Sequence, residues 1–229
     1  MKEAEWSFHV IAHIRNDYTS KFAVPRQSDV VPELLSRIVF EPAYSSRDAL
    51  RGIDGWSHLW LIWIFHEADK KEWSPTVRPP RLGGNKRIGV FATRSPYRPN
   101  PIGLSCVRLV AVEDNALIVS GADLMDGTPI LDIKPYLPYA DCHPEAEAGF
   151  AGQLDERRLS VCFPPALLQR VPDESREALL SVLSHDPRPA YHHDPNRVYA
   201  FEFGSRRLRF SVAENVLTVL EVEDVNKSR

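Results

Sequence analysis

Residues 78–105, RPPRLGGNKRIGVFATRSPYRPNPIGLS, constrain the fold more than any other part of the chain. Six basic residues (Arg78, Arg81, Lys86, Arg87, Arg94, Arg98) fall within 21 positions, with no acidic residue among them. Gly83, Gly84, Gly89 and the Pro99-Asn100-Pro101 turn are interleaved with them. Glycine admits backbone geometry closed to other residues, and proline presets φ, so such a stretch forms fixed loops and short strands, not a long helix. A stiff, glycine-opened, cation-rich loop set suits an anionic ligand. A solvated basic face with ordinary turns is the plainer alternative, and the rigidity argues against it.

The rest of the composition sets outer bounds. A chain of 229 residues accommodates one domain or two small ones and buries enough surface to fold without a metal or disulfide. Net charge is −3, so nucleic-acid affinity has to come from a local patch. Cys106, Cys142 and Cys162 are odd in number and widely spaced, which points to a reducing compartment and to buried or idle thiols. No segment has 18 consecutive apolar residues, and the start MKEAEWSF lacks the apolar run of a leader. These features predict a cytoplasmic protein that does not engage a membrane.

Periodicity predicts strands over 8–15, 52–65, 87–92, 103–112, 116–124 and 128–133, with Asp126-Gly127 as a tight hairpin. Short strands with turn signals between them indicate a barrel or sandwich. Composition shifts near Pro138 to Gln153, suggesting a linker. Beyond it, 154–163 reads as a strand and 174–184 as a helix capped by Asp173, with Leu179, Leu180, Val182 and Leu183 as its apolar stripe and Pro187 as its stop. Strands at 198–203, 208–212 and 216–222 close the chain, with turns at Gly204-Ser205 and Glu214-Asn215. The expected architecture is a mainly β N-terminal domain over residues 1–145 and a small α+β C-terminal domain over 146–229.

No GxGxxG follows a strand and no GxxxxGK[ST] occurs, which removes Rossmann and P-loop nucleotide sites. The missing HxE with a downstream CxxC disfavours a zinc deaminase. His192-His193-Asp194 lies among prolines with no further ligand cluster and reads as loop, so no metal is expected. Several short signals remain. Arg26, in Pro25-Arg26-Gln27, offers a planar fork for a carboxylate or phosphate. His66-Glu67 ends the most hydrophobic strand and either faces a pocket or simply surfaces into solvent. Asp123, Asp126 and Asp132 are close in sequence, and any one suits an ammonium partner or a base, although Asp126-Gly127 serves equally as a turn. Asp186 to Tyr191, DPRPAY, presents Arg188 and Tyr191 on a proline-stiffened loop fit for phosphate contact and stacking, or for a plain connector.

KFAVPRQ, FHE, the 78–105 stretch, DLMDGTPILDIKPYLPYAD and DPRPAY occur in that order. The series closely resembles the TsaA-like family, specifically its TrmO branch of S-adenosylmethionine-dependent tRNA methyltransferases, from about Ile11 to the C-terminus. The resemblance implies a single-sheet β-barrel that carries the cofactor, and a smaller C-terminal domain. It implies methylation of N6 on N6-threonylcarbamoyladenosine beside the anticodon of threonine tRNA, by a homodimer with cofactor near the subunit interface. It also places S-adenosylmethionine contacts on Pro25, Arg26, Gln27, His66, Glu67, Arg94, Leu104, Leu124, Met125, Asp126 and Gly127. Asp126 and His66 are the first candidates to accept the N6 proton. Arg78, Arg81, Lys86, Arg87, Arg98, Arg188 and Tyr191 are candidates for the tRNA surface. Asn16-Asp17 stands where many relatives carry Ser-Pro, a departure expected to affect a loop more than a motif. A non-catalytic S-adenosylmethionine-binding regulator and a methyltransferase with another acceptor are the competing readings.

Overall fold

A computed structural model describes residues 6–68, 73–79, 86–153, 158–188, 194 and 197–225. The first part of the chain contains β1 (Ala12–Arg15), β2 (Leu35–Phe40), β3 (His58–Ile64), the short β4 (Thr76–Val77) and β5 (Ile88–Gly89), β6 (Ile102–Glu113), β7 (Ala116–Ser120) and β8 (Pro129–Pro135). Six of these strands close into a barrel in the order β1-β2-β7-β6-β3-β8, and every pairing is antiparallel. Closure removes the unpaired edges that an open sheet of this length would expose. In β3, alternation sends Leu59, Leu61 and Trp63 inward, where they meet Ile14, Ile38, Val107, Leu117, Val119 and Ile130. Outward, the Trp60 indole donates to Asp141 Oδ2 at 2.9 Å.

The expected strands are present with several corrections. β1 begins at Ala12, not at residue 8. β2 was not anticipated, although Ser36, Ile38 and Phe40 alternate inward along it. Residues 53–55 form a 3₁₀ turn ahead of β3, and 90–92 form another directly after β5. Asp126-Gly127 does form a turn, with Gly127 at φ 79° and Thr128 N–H bonded to Met125 O at 3.1 Å. It is not a hairpin, because β7 pairs with β2 and β6 whereas β8 pairs with β1 and β3. The turn is sewn instead to the segment after β1, through Asp126 N–H to Tyr18 O (2.9 Å) and Gly127 N–H to Ile14 O (2.8 Å).

Helix α1 (Pro138–Asp141) and a 3₁₀ turn occupy the expected linker. Then follow β9 (Ser160–Cys162), α2 (Pro165–Leu168), α3 (Asp173–Ser184), β10 (Tyr199–Phe203), β11 (Arg206–Ala213) and β12 (Val216–Asp224). The C-terminal sheet has the order β10-β11-β12-β9, with β9 parallel to β12. Helix α3 buries Ala178, Leu179, Val182 and Leu183, while Leu180 is only half-buried. Its N-cap is Pro172; Asp173 and Glu174 occupy the first turn, where negative charge complements the helix dipole. Cys106, Cys142 and Cys162 are free thiols; Cys106 is half-buried and the other two are exposed, so none of the three is the fully buried alternative.

The C-terminal core also contains Tyr18, Ala23, Val31 and Leu34 from the β1–β2 connection. Tyr18 meets Phe203 edge-on at 6.0 Å between ring centroids. Asn16-Asp17, read in the sequence as a loop variation, is the joint between barrel and sheet. Asn16 Nδ2 donates to Ser36 Oγ and Leu124 O, and its Oδ1 accepts from Tyr18 N–H. Asp17 O accepts from Gly204 N–H at 2.7 Å, and its carboxylate accepts from the Ser175 hydroxyl of α3 at 2.7 Å. A Cβ on Gly204 would lie 2.8 Å from that carboxylate. Asp17→Ala is expected to lower stability by about 1.5–3 kcal/mol, the range for losing a hydrogen bond to a charged group. Urea unfolding of the two proteins measures the difference.

Candidate functional site

The barrel opens on one side into a cavity of about 590 Å³, a size ordinary for small-molecule and cofactor sites. Four segments form it. The ends of β3 and β6 supply Trp63, Phe65, His66, Glu67 and Ile102 to Leu104; the β1–β2 connection supplies Lys21 and Val24 to Gln27. The loop after β5 supplies Thr93, Arg94 and Pro96 to Arg98, and the β7–β8 connection supplies Asp123, Met125 and Thr128.

The wall is set by a cross-strand pair. Trp63 and Gly103 face each other in the β3–β6 register and so project to the same side of the sheet. A Cβ on Gly103 would lie 2.2 Å from the Trp63 ring, so only glycine lets the indole cross β6 there. Trp63 Nε1–H donates to Ser105 Oγ at 2.9 Å, two residues further along β6 on the same face. The Ser105 hydroxyl donates in turn to Asp123 Oδ1. Phe65 packs on Trp63 with ring centroids 4.3 Å apart. The result is an aromatic wall continuous with a polar chain that ends on a carboxylate.

The rim is tied by a second chain. Arg94 Nη1 donates to Gln27 Oε1, Gln27 Nε2 donates to Arg26 O, and Arg26 Nη2 donates to Arg188 O at 3.3 Å. Arg188 forks onto Asp186 through Nε and Nη2 at 2.7 and 2.8 Å, which leaves its side chain only 11% exposed. Arg98 Nη1 donates to Thr93 O and Ser95 O and so fixes its own loop. Basic side chains (Lys21, Arg26, Arg94, Arg98) therefore outnumber acidic ones (Glu67, Asp123) around the cavity.

Of the residues expected to contact cofactor, Pro25, Arg26, Gln27, His66, Glu67, Arg94, Leu104 and Met125 come together here. The other three do not line the cavity. The Leu124 side chain is fully buried in the barrel core. Asp126 Oδ1 accepts from Asn16 N–H and Oδ2 lies 3.8 Å from Arg15, so this carboxylate acts as a clip for the turn that Gly127 completes. Of the two candidate proton acceptors, then, only His66 lines the cavity.

Among the expected tRNA contacts, Arg78 and Arg87 flank the Val77–Ile88 pair of β4 and β5, and both are exposed, as is Lys86. Arg98 and Arg188 are engaged as just described. Arg81, Tyr191, His192 and His193 lie outside the described residues.

Asp123 is the residue that sequence reasoning named without choosing. Its local signal is no stronger than that of Asp126 or Asp132; only the barrel's closure sends it inward. Burial pushes its carboxyl above the usual aspartate range, outweighing the Ser105 hydrogen bond and the nearby Arg94 charge, which act the other way.

An antiparallel six-stranded barrel thus opens on a mixed-charge cavity with one aromatic wall. The model of the tRNA-methyltransferase O N-terminal domain matches residues 13–142, and that of the TrmO C-terminal domain matches residues 156–225. The chain belongs to the tRNA-methyltransferase O family. It is 40% identical to the tRNA (adenine(37)-N6)-methyltransferase of Escherichia coli strain K12, over 96% of this chain and 99% of that one. It is 41% identical to a putative S-adenosylmethionine-dependent methyltransferase of Pseudomonas aeruginosa, over 82% and 85% of the two chains. A crystal structure of TrmO from P. aeruginosa superposes with a TM-score of 0.80 at 33% identity, covering 98% of this chain and 99% of that one.

The raised Asp123 carboxyl has a consequence for the ligand-free fold. The folded chain holds this proton more tightly than the unfolded chain does, so stability falls as pH rises from the ordinary aspartate value of about 3.9 through the raised one. That loss persists at neutral pH. Asp123→Asn keeps an oxygen acceptor for Ser105 and removes the half-buried charge. It is expected to raise the melting temperature at pH 7, with the gain shrinking toward pH 3.9; calorimetry across that range checks it.

Proposed function

We propose that this chain transfers the methyl group of S-adenosylmethionine to N6 of N6-threonylcarbamoyladenosine beside the anticodon of threonine tRNA. The observation that carries the reading is the near full-length 40% identity to the E. coli tRNA (adenine(37)-N6)-methyltransferase, combined with the cavity's donor set. That set fits the cofactor: Arg26 and Arg94 suit its carboxylate, Trp63 and Phe65 its adenine, and Asp123 or Glu67 its positive charge. Bound there, S-adenosylmethionine supplies an electrophilic methyl group on a sulfonium.

The chain's own residues do the rest. N6 is a weak nucleophile because its lone pair is shared with the purine and the carbamoyl group, so alignment supplies much of the rate. The ties through Arg26, Gln27 and Arg94 hold the rim in place for that alignment. In this reading His66, half-buried at the cavity wall, accepts the N6 proton as it leaves.

The proposal extends to the division of labour. Residues 1–145 carry the cofactor cavity, and 146–229 add tRNA contact from the C-terminal side. Exposed Arg78, Lys86 and Arg87 form the described part of the phosphate-binding surface, and Arg81 and Tyr191 extend the same motifs. Arg98 and Arg188 act by shaping the loops that carry this surface. Phe91 and Leu104, 74% and 54% exposed beside the cavity, suit burial against a second copy in a homodimer. A cytoplasmic location follows from a tRNA substrate. A regulatory reading has support from one relative, a probable S-adenosyl-L-methionine-binding protein of Pyrococcus abyssi, 36% identical over 71% of this chain.

Nucleoside mass spectrometry on tRNA incubated with the protein and S-adenosylmethionine tests the main reading. One added methyl is expected on threonylcarbamoyladenosine and none on tRNA lacking that modification. Cofactor binding without methyl transfer to either tRNA would favour the regulator. Lys86→Ala or Arg87→Ala is expected to reduce the slope of log affinity against log salt by about one unit, measured by filter binding.

A further inference from the structure

We propose that Asp123 is the receptor for the α-ammonium of the cofactor's amino-acid end, paired with Arg94 as the partner of its carboxylate. The assignment rests on the S-adenosylmethionine reading above and deepens it.

The cavity has two carboxylates of different kinds. The Glu67 side chain is 64% exposed and lies 3.8 Å from His66, so water and imidazole both compete for it. Asp123 is half-buried, at the end of the Trp63–Ser105 chain, whose Ser105 is itself buried. Both links donate toward it: the indole N–H points to Ser105 and the Ser105 hydroxyl to Asp123 Oδ1. A hydroxyl used this way orients the carboxylate and spends one oxygen, leaving acceptor capacity on the other.

A buried carboxylate is costly unless a cation pairs with it. Arg94 acts on Asp123 electrostatically, yet its Nη1 is bonded to Gln27 and the side chain stays exposed at the rim. The Asp123 charge therefore lacks a buried cationic partner among the described residues. An α-amino acid presents an ammonium and a carboxylate on one carbon. A cavity with a half-buried Asp and a rim Arg whose charge acts on it is complementary to that zwitterion. The other asparagine and aspartate side chains of the region have structural work: Asn16 joins three backbone or side-chain partners, and Asp126 clips its turn. Asp123 accepts from Ser105 through one oxygen, and no described cation pairs with its charge at hydrogen-bond distance.

The test compares ligands that differ in charge, by calorimetric titration of wild-type protein and Asp123→Asn. S-adenosylmethionine and S-adenosylhomocysteine both carry the ammonium; 5′-methylthioadenosine keeps the nucleoside and thioether but lacks the amino-acid end. The variant is expected to bind the first two roughly 10- to 100-fold more weakly, as for loss of a charged hydrogen bond, and the third unchanged. Its melting temperature without ligand, expected to rise, shows that the fold is intact. Equal weakening for all three ligands would assign Asp123 a structural role and overturn the proposal. So would unchanged binding of all three, and weakening confined to S-adenosylmethionine would move the contact to the sulfonium. Wild-type protein that binds none of them removes the cofactor reading itself, and this assignment with it.

Discussion

The indole of Trp63 crossing the bare Cα of Gly103 is the contact on which the site depends. It lets a large aromatic ring lie inside a six-stranded barrel without pushing β6 away from β3. Trp63 Nε1–H then has to find an acceptor, because an unpaired buried donor costs about 1–3 kcal/mol. Ser105, next on the inward face, provides it and passes its own hydrogen to Asp123. One close approach thus sets the aromatic wall, the register of the polar chain and the position of the cavity's half-buried carboxylate. An alanine at position 103 would disturb all three together.

The C-terminal sheet is coupled to this cavity by two routes. One is apolar: Tyr18, Ala23, Val31 and Leu34 leave the barrel's first connection and pack in the second core. The other is polar and runs from α3 through Asp186 and Arg188 to Arg26, Gln27 and Arg94. The Pro25-Arg26-Gln27 loop sits between them. Its geometry is therefore fixed from both cores, although its sequence neighbours belong to the barrel.

Much of this was legible in the sequence, and what was not has physical reasons. The aromatic and β-branched run at β3, the helix stripe at α3 and the Gly204 and Glu214-Asn215 turns are local signals, and local pattern and tertiary packing agree there. The motif blocks 25–27, 66–67 and 94–98 converge on one cavity. Asp126-Gly127 misled as a hairpin because turn chemistry reports the bend, not which strands lie beside it. Asn16-Asp17 looked like loop filler because its partners (Ser36, Leu124, Ser175, Gly204) are distant in the chain. Arg188, a candidate for phosphate contact in the sequence, forks onto a carboxylate two residues away.

Asp123 shows the same limit from the functional side. Three aspartates, at 123, 126 and 132, are equivalent in sequence, and the barrel gives each a different employment. Asp126 clips a turn, and Asp132 pairs with Lys134 at 2.8 Å on the half-exposed outer surface. Asp123 alone lines the cavity, with its charge penalised by burial. Accepting from Ser105 requires an oxygen and not a charge, so the penalty on the charge is not needed for folding. A residue that weakens the empty fold and meets the ligand space is the pattern expected where binding, not stability, determines the side chain.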